Sequence, residues 1–250
     1  MICPRALVIW ISFEFVGDVM RLVLVALMRI FAVVAMLTAS AAYASSLDAI
    51  SRGDAAAGVR EALNKGAEFA VGSLGQKNGF LANNQVKIPL PASLQKVESG
   101  LRMFGMGKQA DQLIETMNHA AEQAVAEAKP ILGEAIRNMT VQDAKAILAG
   151  GDGSVTEYFR RTSADQLTTR FLPIVKSATA KLQLADQYNK FAGRAAAAGL
   201  IDERDADIDQ YVTQKAIDGL FAVIAEEERK LRANPVAAGS ALLKRVFGAL

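Results

Sequence analysis

The sequence predicts an all-α protein, a single-domain bundle of about seven to nine helices. Three observations carry this. Apolar residues recur three and four apart along nearly every long segment, no segment keeps up the alternation of a strand, and hydroxyl residues stand three before an acid or amide where helices should begin. Helices are expected at about 47–66, 92–103, 108–128, 131–138, 141–148, 155–182, 184–198 and 206–232, with a last one near 236–248.

Between the first two lies a loop rich in Gly and Asn, from Gly72 to Pro91, which ends Lys87-Ile88-Pro89-Leu90-Pro91. Alternating prolines force an extended path there, with apolar Ile88 and Leu90 between them. In 108–128, Ile114, Met117, Ala121, Ala124, Val125 and Ala128 make one apolar stripe, and its alanines let a neighbouring helix approach closely. Thr140 with Asp143, Ser154 with Glu157, and Ser163 with Gln166 have capping-box spacing. The stretch 155–182 therefore reads as two pieces, broken near Ser163 and bent at Pro173. Segment 206–232 should be the central helix. Ile208, Tyr211, Val212, Ala216, Leu220, Val223 and Ile224 form one face, which Ile217 and Phe221 widen. Its end carries Glu226 and Glu228 four residues before Lys230 and Arg232, the favourable order for helical ion pairs, expected to solvate an exposed end.

The N-terminus bears on compartment. Residues 30–39 read IFAVVAMLTA, Arg21 and Arg29 precede them, and Ala42-Tyr43-Ala44 offers an A-x-A site. Those are the three parts of a secretory signal peptide. Arg29 interrupts the apolar run from Leu22, so a spanning helix of roughly 20 apolar residues fits poorly; an uncleaved anchor is the alternative. Glu14 and Asp18 sit badly in an export signal, and Met20 and Met28 each begin a cleaner one, so residues 1–19 read as a mis-assigned start. Cleavage after Ala44 leaves one helical domain, 45–250, in which 45–91 is expected to pack less firmly. No spanning helix is expected in that mature chain, and its localisation would be periplasmic or secreted.

Composition narrows the chemistry. The only cysteine, Cys3, falls in the removed part, which leaves no disulfide, thiolate ligand or cysteine nucleophile in the rest. A formal net charge of +2 for the whole chain gives no long-range pull toward phosphate backbones, so nucleic acid is not an expected partner.

Several stretches, KIPLP (Lys87–Pro91), GGDGSVTEYF (Gly150–Phe159), FLPIV (Phe171–Val175), Tyr211–Pro235 and LLKRVFG (Leu242–Gly248), occur in an order that resembles a family of secreted bacterial proteins known only as a domain of unknown function. The resemblance spans essentially the whole mature chain. It implies an exported helical protein and no activity. Other members are lipoproteins by implication, but this chain has no cysteine at the cleavage site.

Candidate chemistry is sparse, and no cofactor is implied. His119, the single histidine, has no partners for a zinc site, and no G-x-S-x-G elbow accompanies it. Asp205, Asp207 and Asp209 begin like a calcium loop, yet Gln210 and Ala216 stand where Gly and Glu are needed; the same acids suit a helix N-terminus. Gly151, Gly153 and Ser154 could cradle an anion, or serve only as a glycine C-cap followed by a serine N-cap. Glu227 continues the stripe of Leu220, Val223 and Ile224. Facing inward, it needs a partner such as Arg160, Arg161 or Arg170, and a structural ion pair competes with a catalytic carboxylate. Met103, Phe104, Met106 and Met117 form a flexible apolar group that suits either a groove or ordinary core packing. Two functions follow: a non-enzymatic binding or scaffold protein for a lipid or an envelope protein, and a carboxylate hydrolase acting on an envelope polymer.

Overall fold

The computed structural model describes residues 52–250, apart from 96–97, 104, 106, 198, 200–205, 238 and 249–250. Among the described residues there is no strand. Eight helices among these residues are seven residues or longer: α1 (Arg52–Leu74), α4 (Gly107–Ala126), α5 (Ala128–Arg137), α6 (Val141–Ala149), α7 (Ser154–Thr179), α8 (Gln183–Ala197), α9 (Ile208–Ala233) and α10 (Ala241–Phe247). Two shorter ones, α2 (Ala92–Gln95) and α3 (Glu98–Met103), lead into α4. The fold is the all-α bundle that the periodicity predicts.

Helix α9 is the hub, packed on α7, α1 and α4. Its expected face is buried throughout, from Ile208 and Tyr211 to Val223 and Ile224. Helix α4 turns Ala110, Leu113, Met117, Ala120, Ala121, Ala124 and Val125 to α7 and the core. The run of alanines removes bulk from that seam, so the two backbones can lie close.

Helix α7 corrects one expectation. It runs unbroken from Ser154 to Thr179 with Pro173 inside. Ser163 begins nothing: it is buried, and its hydroxyl donates to the Phe159 carbonyl one turn back at 2.5 Å. Thr162, Thr168 and Thr169 do the same. A hydroxyl spent on the preceding turn cannot cap a new helix, and burial of Phe159, Leu167, Phe171 and Val175 holds the single rod. Thr140, by contrast, makes the full capping box with Asp143 at the start of α6.

Helix α1 is longer than the pattern suggests, reaching Leu74. From residue 52 to residue 91, the segment expected to pack loosely, Val59, Leu63, Leu74, Phe80, Ile88 and Leu90 are all core residues. Polar side chains fix the loop after α1. The buried carboxylate of Glu122 accepts the backbone N–H groups of Asn78, Phe80 and Leu81. The buried Asn118 amide accepts from the Ile88 N–H at 2.8 Å and donates to the Ile88 carbonyl at 2.9 Å, as a neighbouring strand would. Tyr211 donates to the Pro89 carbonyl. Phe80 enters the core where Gly219 leaves room on α9; a Cβ at Gly219 would lie 2.7 Å from the Phe80 ring.

The far end of the chain returns to the beginning. Helix α10 docks on α1, with Val246 seated over Gly58, and Ser240, its N-cap, also donates to Glu61 at 3.0 Å.

Candidate functional site

Where α1, α9 and α10 meet around the first turn of α7 lies a pocket of about 230 Å³. Its walls are Leu63, Val155, Ile224, Leu231, Leu243 and Phe247. Lys65, Glu227, Lys230 and Asn234 also line it, and so does Glu228, whose side chain is only 2% exposed.

Helical spacing carries Glu228 inward. It follows Ile217, Phe221 and Ile224 at intervals of four, three and four, so it extends the buried stripe of α9. One turn on, Arg232 lies 11% exposed, with Nη2 3.0 Å from Glu228 Oε1. The same guanidinium donates to the Ile147 carbonyl and to Ser154 Oγ, both at 2.8 Å, and sits 5.6 Å from the centre of the Phe247 ring. Oε1 also takes the Val155 N–H and the Ser154 hydroxyl, each at 3.2 Å. Every contact falls on that one oxygen, and Oε2, also buried, has no hydrogen-bond partner. Buried carboxylate oxygens are ordinarily hydrogen-bonded.

Glu227, the residue singled out from sequence, lies at the pocket with its side chain 23% exposed and bonds Lys230 at 2.9 Å. That hydrogen bond raises the Lys230 ammonium above its ordinary pKa. Arg160, Arg161 and Arg170 do not reach Glu227; they pair with Asp218, Asp143 and Glu127. Of the two pairs at the end of α9, Glu226–Lys230 is the surface contact expected, whereas Glu228–Arg232 is buried. Taking the stripe through Phe221 and Ile224 rather than Leu220 and Val223 would have singled out Glu228.

Gly151, Gly153 and Ser154 come together beside a second, more polar cleft of about 340 Å³, which Gly153 and Ser154 line. Both glycines have positive φ, 70° and 87°, and Gly153 rather than the expected Ser154 is the N-cap of α7, so Ser154 is its first helical residue and no capping box with Glu157 forms. The single Ser154 hydroxyl proton has the Ile147 and Gly151 carbonyls and Glu228 Oε1 as alternative acceptors, all within the protein, so it is not offered to an anion in this cleft. Asp143, Asp152 and Glu157 line the cleft against one guanidinium, Arg161, already paired with Asp143, so its charge opposes an anion. The Thr140 hydroxyl, with help from Arg161, holds the Asp143 carboxyl below its ordinary range. Burial pushes the Tyr158 phenol up, and its hydroxyl donates to the Ala135 carbonyl.

The remaining candidates scatter. Met103 is 85% exposed and Met117 fully buried, so these two do not line one groove; Phe104 and Met106 lie outside the described residues. Asp207 caps α9, accepting from the N–H groups of Asp209 and Gln210. Asp209 is buried and takes the Thr179 hydroxyl, and Asp205 lies outside the described residues. No group of three metal-binding side chains forms among the described residues. His119 is 3.3 Å from Asn78 Oδ1, at the edge of the Glu122-held loop. No helix among the described residues is long and apolar enough to cross a membrane.

No curated protein and no solved structure matches the chain. A family model does, over residues 49–248, a span that takes in every described helix and the whole Glu228 pocket. The chain belongs to the family described as Protein of unknown function (DUF4197).

Proposed function

We propose that this is an exported envelope protein that binds rather than transforms its ligand, holding the ligand's apolar part in the pocket between α1, α9 and α10. The pocket carries the reading: apolar walls, one deeply buried acid and a rim that includes Lys65 and Lys230, the usual make-up of a small-molecule site. An apolar cavity of about 150 Å³ accepts benzene. A pocket of about 230 Å³ therefore suits a ring with a short chain, or the tip of an acyl chain, rather than a whole two-chain lipid. Export is supported by Arg21, Arg29, the run IFAVVAMLTA and Ala42-Tyr43-Ala44.

Native mass spectrometry of the protein released from the periplasm without detergent tests both halves. The expected result is a chain that begins at Ser45 and carries extra mass removable with organic solvent. Retention in the cytoplasm with residues 1–44 intact would sink export, and a bare chain would sink a tightly held ligand.

A further inference from the structure

We infer that the ligand of the α1–α9–α10 pocket is an uncharged molecule with a hydroxyl beside its apolar body, and that this hydroxyl donates to Glu228 Oε2. The inference rests on the binding reading above and adds the chemistry by which the pocket selects. Arg232, Val155 N–H and Ser154 all bond Oε1, which leaves Oε2 buried and unpartnered in a side chain that lines the pocket. An acceptor in that position lacks a donor, and because Oε2 is shut off from solvent in this conformation, the Glu228 side chain must turn toward the pocket for a ligand hydroxyl to meet it.

Charge decides the kind of donor. The Arg232 guanidinium already balances the Glu228 carboxylate. Lys230 pairs with Glu227 and Lys65 with Glu61, so an ammonium would add a positive charge with no counter-charge left to balance it among apolar walls. An anion would bring Oε2 a second acceptor in place of the donor it lacks, and the Lys65 and Lys230 ammoniums are already paired with Glu61 and Glu227. A neutral hydroxyl satisfies Oε2 without either penalty, and its apolar body can lie against Leu243 and Phe247.

The test uses two probes alike in size, 4-ethylphenol and ethylbenzene, titrated calorimetrically into the purified protein. A purely apolar pocket favours ethylbenzene, because burying an unpaired phenol hydroxyl is costly. A site with a waiting acceptor reverses the order. The expected result is 4-ethylphenol binding about tenfold tighter or more. Equal affinity, or a preference for ethylbenzene, would overturn the hydroxyl inference and leave the pocket reading standing. Failure of both probes to bind would overturn the two together. Gly66→Leu locates the site: Gly66 lines the pocket and a Cβ there meets no atom within 4 Å. Leucine is also the better helix former, so the variant should stay folded and lose both probes. Unchanged phenol binding in that variant would place the site elsewhere and sink the inference.

Discussion

Arg232 and Glu228 face each other one turn apart near the end of α9, bonded at 3.0 Å, with side chains 11% and 2% exposed. Because Arg232 also serves Ser154 and the Ile147 carbonyl, the pair ties α9 to the end of α6 and the start of α7. Removing one partner leaves the other buried without its counter-charge. Arg232→Met is expected to cost about 3–5 kcal/mol, read from urea unfolding. Arg232→Met with Glu228→Leu should recover most of that loss, since two apolar groups leave no charge to compensate. A double variant as unstable as the single would mean that the contacts to Ser154 and Ile147 dominate.

Glu122 holds the loop after α1 by three backbone N–H groups. Glu122→Ala strands them and should cost about 1–3 kcal/mol. Hydrogen exchange at Asn78, Phe80 and Leu81 should speed up well before that of α7. Glu122→Gln keeps an oxygen for Phe80 and Leu81 and should be milder. Equal exchange in wild type and Glu122→Ala would mean that Phe80 and Ile88 alone anchor the loop.

Gly58 lets α10 come down on α1: a Cβ there would stand 2.6 Å from Val246 Cγ2. Gly58→Ala should therefore destabilise by about 1–3 kcal/mol although alanine favours helix. Adding Val246→Ala should relieve it. A stable Gly58→Ala protein with α10 still protected from proteolysis would show that the seam can open cheaply.

Burial raises the Asp209 carboxyl above 3.8, and the Thr179 hydroxyl offsets this only in part. The folded state thus binds this proton more tightly than the unfolded chain. Its contribution to stability is present at low pH and is lost as pH rises from about 3.8 through the raised folded value. Asp143, held low chiefly by Thr140, acts in the opposite sense: its contribution is present above 3.8 and is lost as pH falls below that value. Asp209→Asn should remove the first slope from the pH dependence of the unfolding midpoint, and Asp143→Asn the second. A variant whose pH profile parallels the wild type would show that its carboxyl does not contribute.

What was legible in the chain was what local spacing controls. The apolar stripe of α9 and the Thr140–Asp143 box follow from intervals of three and four, and the structure keeps them. Of the stripe expected in α4 it keeps Met117, Ala121, Ala124 and Val125, but buries Leu113 in place of Ile114 and puts Ala128 in α5. Ser163 had the same box spacing but lay within a helix already held by Phe159 and Phe171, so tertiary burial overrode it. At the site, the choice between Glu227 and Glu228 turned on one residue, or 100° around a helix, less than the width of the apolar face itself. Asn118 and Glu122 gave no signal at all, because their partners are backbone groups of Ile88 and of Asn78, Phe80 and Leu81, some 30 to 44 residues away. A backbone partner leaves no trace in residue type.

The docking of α10 on α1 bears on the order in which the molecule is made. Ser240 meets Glu61 across 179 residues, and Val246 covers Gly58 across a similar span. A growing chain exposes Val59 and Leu63 early, and the elements that bury this side of α1, α9 and α10, emerge last. The seam between α1 and α10 therefore closes only after α10 has been made, whereas α1 can pack on α4, α5 and α6 before that.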